Sequence, residues 1–174
     1  MNVRARAWVP VVVGIGVAVT LGVYGRVHRP PGVIVDLAGF LPPQTAKVWL
    51  ATGVACLAVL QVLSALAMYG RLPRLPAGSW TGPRVHRWSG RAAFVLSVPV
   101  AVHCLYALGF QAGNARVLIH SLGGCLFYGA FVTKMLIVGR PSGDSRWALP
   151  AAGGVVFMAI TALWLTSALW FFTG

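Results

Sequence analysis

Acidic residues are almost absent from this sequence. Its 174 residues include two, Asp36 and Asp144, against 14 lysines and arginines, so the formal net charge is +12. Charged residues make up 9% of the chain and hydrophobic residues 58%, whereas soluble domains have about 25% and about 45–50%. The mean hydropathy is +0.80. These values exclude an ordinary soluble globular domain.

The excess of basic residues does not indicate nucleic-acid binding. Nucleic-acid binders set lysine and arginine among other polar residues, but here the arginines lie between long apolar runs. That pattern is typical of a helical membrane protein. The three cysteines all fall inside the apolar runs, so no disulfide framework is predicted.

Five apolar segments have about the 20 residues that a helix needs to cross the hydrocarbon core. The first is expected to be an uncleaved helix and not a signal peptide, because no small-residue cleavage site follows it. We therefore predict an all-α integral membrane protein, a five-transmembrane-helix bundle forming a single domain over 1–174. The predicted spans are 8–25, 45–70, 85–111, 116–139 and 147–172.

The basic residues predict the orientation of the bundle, since lysine and arginine are enriched in cytoplasmic loops. Ten lie on the side of the N-terminus and four on the other. The N-terminus is expected in the cytoplasm and the C-terminus outside, in a multi-pass plasma-membrane protein. The ten are Arg4, Arg6, Arg71, Arg74, Arg84, Arg87, Arg91, Lys134, Arg140 and Arg146, and the four are Arg26, Arg29, Lys47 and Arg116.

No carboxylate falls within a predicted span, because both aspartates lie in predicted loops. Ion-coupled transporters and proton pumps need ionisable groups inside the membrane, so these classes are disfavoured. A small-molecule or lipid carrier is a weaker alternative for the same reason. The histidines are then the main reactive groups inside the membrane.

Two of the four histidines lie at similar depths in consecutive spans. His103 is expected roughly 12 Å below the outer end of the third span, and His120 roughly 6 Å below the start of the fourth. Two imidazoles at matched depth suit the bis-histidine ligation of a b-type haem between helices. We predict one haem b on the outer side, with His103 and His120 as its metal ligands.

The residues around His120 agree with a flat cofactor. Gly123 and Gly124 follow it by three and four positions, so they share its helical face. Arg26, Arg29, Lys47 and Arg116 are candidates for binding haem propionates on the outer side. The alternative is purely structural, since small residues also allow close helix packing and a buried histidine is often a hydrogen-bonding residue.

The other two histidines are weaker candidates for cofactor binding. His28 lies just past the first span and is expected in an interfacial loop, with an exchange for one of the haem ligands as the alternative. His86 begins the third span at the cytoplasmic end, where no second histidine lies at its depth. A second bis-histidine haem is therefore unsupported. An inner haem with His/Met ligation through Met68 or Met135 is one alternative, and an interfacial or quinol-contacting role for His86 is the other.

A family resemblance is carried by the segment over about 85–140. His86-Arg87-Trp88-Ser89-Gly90, then His103, then His120 with Gly124, resembles cytochrome b561-like and ferric-reductase-like membrane cytochromes. The chain is also similar to small actinobacterial membrane proteins. The resemblance implies ligand roles for His103, His120 and His86. Members of the group hold two haems through four histidines on four helices, and this chain departs from that pattern.

These observations predict a membrane-anchored b-type cytochrome that transfers electrons at the extracytoplasmic side. Its expected partners are membrane lipid, quinol and other redox protein subunits, with no nucleic acid. The chain would then be a redox subunit and not a stand-alone enzyme. The alternative is a haem-free membrane anchor or assembly subunit of a larger respiratory complex, which the small-residue helix faces favour.

Overall fold

A computed structural model describes residues 3–31, 42–72, 81–140 and 147–173 of the chain. Within them, five helices are long and apolar enough to cross a membrane, which confirms the five predicted spans to within a few residues. These are Trp8–Val27, Gln44–Met68, Gly82–Leu108, Ala115–Val138 and Ala148–Thr173. Asp36 and Asp144, both predicted in loops, lie outside the described residues.

The helices are named in chain order. Two of them continue into wider π-helical turns, here called π1 and π2, before the chain leaves the bundle. The elements are α1 (Val3–Val27), α2 (Pro43–Met68), α3 (Thr81–Val102), π1 (His103–Leu108), α4 (Ala115–Val138), α5 (Ala148–Trp164), π2 (Leu165–Leu169) and α6 (Trp170–Thr173).

The helices are not packed in the order of the chain. α1 packs on α4, α4 on α5, α5 on α2, and α2 on α3, while π1 returns to contact α1. α2, α4 and α5 meet in a buried cluster that includes Val54, Phe127 and Ile160. α3 and α4, although consecutive, have little close backbone packing with each other, so they leave space between them.

The end of the bundle where α3 and α4 are joined, here called the turn end, is fixed by Gly109. This residue has φ +70°, a left-handed conformation that favours glycine. The next amide, Phe110 N, donates a 2.7 Å hydrogen bond to the Gly25 carbonyl of α1. At the far side of the turn the Asn114 side chain accepts from Val117 N at 3.0 Å and begins α4. The turn end therefore holds α1, α3 and α4 together.

Glycines bring α1 and α4 into direct backbone contact. A Cβ added at Gly129 would lie 2.5 Å from the Gly14 carbonyl oxygen and 2.9 Å from the Cβ of Ala18. Thr133 of α4 also places its hydroxyl 3.1 Å from the carbonyl of the buried Pro10. Close approach of small residues with an interhelical hydrogen bond is a common way for membrane helices to associate.

We predict that Gly129→Ala destabilises the bundle by about 1–3 kcal/mol, because the backbone of α1 occupies the space that the new methyl needs. Gly16→Ala is the matched control, since a Cβ at Gly16 meets nothing within 4 Å. Unfolding of the purified proteins in detergent, followed by circular dichroism, measures both. Equal stability of the two variants would contradict the α1–α4 contact described here.

Candidate functional site

A cavity lies between α2, α3, α4 and α5 in the half of the bundle nearest the turn end. Its volume is about 100 Å³. Its lining is mostly apolar. The lining residues are Ala51, Val54, Ser97, Val100, Ala101, Cys104, His120, Gly124, Phe127, Tyr128, Ile160, Leu163, Trp164 and Ser167.

His120 lines this cavity and is held by a hydrogen bond to α5. Its Nδ1 lies 3.0 Å from Thr166 Oγ1, and the Thr166 hydroxyl donates to the Ala162 carbonyl at 2.6 Å. Because that hydroxyl has one proton, it must accept from His120, so Nδ1 carries the imidazole proton. Nε2 of the neutral ring then keeps its lone pair. This tautomer is the one that metal-ligating histidines with an anchored Nδ1 adopt.

The two glycines after His120 have different environments. Gly124 lines the cavity, and a Cβ built there would meet nothing within 4 Å. Gly123 is buried, and its Cβ would contact the Leu163 side chain of α5 at 3.5 Å. Gly124 therefore widens the cavity beside His120, whereas Gly123 allows α4 and α5 to pack closely.

The α3 side of the cavity is formed by Ser97, Val100 and Ala101 together with Cys104, the second residue of π1, and not by His103. His103 is 1% exposed. Leu96, two helical turns before His103, packs toward Gly53 of α2. Because residues two turns apart lie on the same side of a helix, His103 is on the flank that faces α2. The structure thus does not bring His103 and His120 together on the cavity wall.

Aromatic side chains close the cavity on the side away from the turn end. Phe94 of α3 stacks on Phe131 of α4 with ring centroids 4.5 Å apart. Ser97 Oγ lies 3.1 Å from the Tyr128 hydroxyl and itself donates to the Phe94 carbonyl at 2.7 Å, so Tyr128 is the donor of the interhelical bond. These contacts bridge α3 and α4 below the cavity.

Trp164 forms part of the opposite wall. Its indole Nε1 donates to Thr52 Oγ1 of α2 at 3.1 Å, which fixes the ring across the α2–α5 contact. The sequence alone assigns no role to this deep tryptophan. The structure makes it both a wall of the cavity and a donor that joins two helices.

The basic residues of the turn end do not line the cavity. Arg116 donates from NH1 to the Thr166 carbonyl at 2.6 Å, and its guanidinium lies 4.1 Å from the centre of the Trp170 ring. Arg26 and Arg29 are exposed at the end of α1. Lys47, at the start of α2, is close enough to act electrostatically on both His120 and Cys104.

His28 forms a hydrogen bond and ring contacts where the end of α1 meets π1. Its Nε2 lies 3.1 Å from the Tyr106 carbonyl and must donate to it. The ring stacks between Tyr24 and Tyr106, with both centroids 5.0 Å away. The structure places His28 in the joint that anchors α1, outside the cavity.

His86 lies in a polar cluster at the opposite end of the bundle. Its Nδ1 is 2.9 Å from Ser64 Oγ of α2, and Gln61 donates to its carbonyl and, at 2.7 Å, to Ser89 Oγ. The charge of Lys134 in α4 also acts on it. Across the described ranges no group of three or more His, Cys, Asp or Glu side chains could hold a metal ion. A haem needs no more than two protein ligands, so this finding does not bear on one.

Apart from Trp164 of α5, the cavity-site residues that sequence reasoning missed lie in the two π segments. Cys104 lies in π1, and Thr166 and Ser167 lie in π2, so both wide turns border the cavity. π-Turns often occur at functional sites, but they leave no simple composition signal. Thr166 is 46 residues from His120 in the chain, and its role depends on the packing of α4 against α5.

The comparison with protein families places the whole bundle in one family. Residues 7–174 match the model of a family of unknown function (DUF6529), so the chain belongs to it. No curated protein and no solved structure matches the chain.

We predict that Thr166→Val weakens the preference of His120 for the tautomer that is protonated at Nδ1. The hydrogen bond to Thr166 contributes about 0.5–1.5 kcal/mol, so its loss should reduce the excess of the Nδ1-protonated form by about 2- to 12-fold. Nitrogen-15 NMR of histidine-labelled protein in detergent measures the tautomer. Thr161→Val is the control, because Thr161 bonds only the Phe157 carbonyl of its own helix. An unchanged tautomer in Thr166→Val would contradict the assignment.

Proposed function

We propose that this member of DUF6529 is a membrane-anchored b-type cytochrome, with haem b in the cavity beside His120. One observation carries the proposal. His120 presents an imidazole to an apolar, four-helix cavity with Nδ1 anchored to Thr166, which leaves Nε2 as the nitrogen able to ligate iron. No described carboxylate or other charged side chain lines that cavity.

The described residues supply one ligand for a haem, the imidazole of His120, in a mostly apolar lining. The cavity of about 100 Å³ is smaller than the roughly 300–1,000 Å³ of small-molecule and cofactor pockets, so a haem would have to move α3 and α4 apart, two helices with little close backbone packing on each other. Gly124 leaves the face beside the imidazole free of a side chain. When bound, the haem iron would accept and release one electron at a time.

The protein's own contribution is to hold and insulate the cofactor. Thr166 fixes the direction of the His120 ring, and the apolar walls exclude water, which tunes the potential of a haem. Lys47 and Arg116, at the turn end, supply the positive charge that would stabilise propionates near the surface. The distribution of basic residues supports an extracytoplasmic position for this end, where quinol or a partner redox protein would exchange electrons.

We predict that protein purified from haem-replete cells shows a Soret band and a sharp reduced α-band. His120→Ala should abolish both, because it removes the axial ligand. Thr166→Val should weaken haem retention about 10- to 100-fold, as expected for the partner of a ligating histidine. His28→Ala is the control and should keep the spectrum, since His28 lies in the α1–π1 joint.

A colourless wild-type protein would overturn the proposal and leave the haem-free anchor or assembly subunit. Co-purification of membrane subunits with that colourless protein would support the anchor. Loss of the spectrum in His28→Ala, with His120→Ala still coloured, would show that the ligand had been assigned to the wrong histidine.

Two neighbouring side chains of π1 could supply the second ligand of such a haem: Cys104, which lines the cavity, and His103, which would have to turn toward it from the flank that faces α2. The resemblance to bis-histidine cytochromes favours His103, and we predict that His103→Ala converts low-spin to high-spin haem while Cys104→Ser leaves it low-spin. Absorption and electron paramagnetic resonance spectra distinguish the two. The reverse result would assign the position to the thiolate, in agreement with the wall that π1 presents.

A further inference from the structure

A strip of basic and aromatic side chains lies on the outward flank of α3, near the start of the helix and at the end of the bundle opposite the cavity. Arg87, Trp88 and Arg91, here called the α3 cationic strip, are all exposed, and Trp88 has 65% of its surface accessible. The guanidinium of Arg91 lies 5.1 Å from the centre of the Trp88 ring. Such a pair keeps a cation at a fixed position beside an interfacial indole.

The inner flank of the same helical turns shows that the strip points away from the bundle. Ser89 is buried there, where Gln61 of α2 donates to its hydroxyl at 2.7 Å. The strip continues along the outward flank into exposed apolar side chains at helical spacing. Val95 is 65% exposed and Val102 is 50% exposed, and the seven residues between them span roughly 10 Å along the axis.

Within the part of the chain that the structure describes, no acidic side chain balances the charge of the strip. None of the described residues carries a carboxylate side chain, and the first turn of α3 contains no acidic residue. Two arginines near the start of a membrane helix, followed along it by exposed valines, complement a phospholipid, which has an anionic head group followed by hydrocarbon chains.

We propose that the α3 cationic strip binds an anionic phospholipid. Arg87 and Arg91 hold its phosphate, Trp88 packs against the glycerol region, and an acyl chain lies along Val95 and Val102. This site is at the other end of the bundle from the cavity, so it does not depend on haem binding.

The test is native mass spectrometry of the full chain from micelles that contain equal amounts of phosphatidylglycerol and phosphatidylcholine with the same acyl chains. The wild type should retain phosphatidylglycerol preferentially. A basic residue near the surface strengthens binding of anionic lipid about fivefold, so Arg87→Gln with Arg91→Gln should weaken retention roughly 25-fold. Arg26→Gln with Arg29→Gln, an exposed pair at the end of α1, is the matched control and should retain the lipid.

Several outcomes would overturn the site. Equal retention of the two lipids by the wild type, or an equal loss in the control pair, would show that the strip does not select an anionic lipid. Displacement of the lipid by inorganic phosphate alone would show a phosphate site without a lipid. Arg87→Lys with Arg91→Lys should keep most of the retention, and circular dichroism checks that each variant is folded. Replacement of the lipid by a co-purified protein would assign the flank to a subunit interface.

Discussion

Almost every polar side chain inside this bundle has to find its partner on another helix or its own backbone, because the hydrocarbon core offers no water. The described spans contain no carboxylates, so neutral groups form these bonds. At least one interhelical hydrogen bond from a side chain joins each pair of packed helices, and another joins α3 to α4. From α4, Thr133 bonds to Pro10 of α1, Tyr128 to Ser97 of α3, and His120 to Thr166 after α5. α2 is joined to α5 by the bond from Trp164 to Thr52, and to α3 by the bond from Gln61 to the His86 carbonyl. The arrangement of the helices follows these bonds together with the glycine contacts.

The same constraint builds the cavity. α3 and α4 are bridged by aromatic side chains and by the bond between Tyr128 and Ser97, which hold them apart instead of letting their backbones meet. On the other side, Trp164 spans α2 and α5. The space enclosed by these bridges is apolar, and His120 is the imidazole that enters it. The proposed haem chemistry would therefore depend on His120, a side chain whose orientation is set by Thr166 after α5.

The sequence was sufficient for the parts of the structure that depend on composition and period. Apolar run length predicted all five spans, and helical spacing put Gly124 on the face of His120. It could not reveal that Gly123 packs on Leu163 or that Thr166 anchors His120. It also could not reveal that Cys104, and not His103, lines the cavity wall. The first two depend on which helix lies beside α4. The third depends on the rotation of α3 against α2 and on the π turn that starts at His103, neither of which has a compositional signature.

The contact between α1 and α4 has a consequence for how the protein is made. The hydrogen bond from Thr133 to the Pro10 carbonyl joins residues 123 positions apart, so α1 is synthesised long before its partner. During that interval it has to remain in the bilayer as a single helix, with Gly14 and Gly16 facing lipid. Its run of valines then serves insertion first and packing later. The apolar sequence of α1 suits a helix that stays in the bilayer without a partner, and the positions of its glycines suit its later packing against α4.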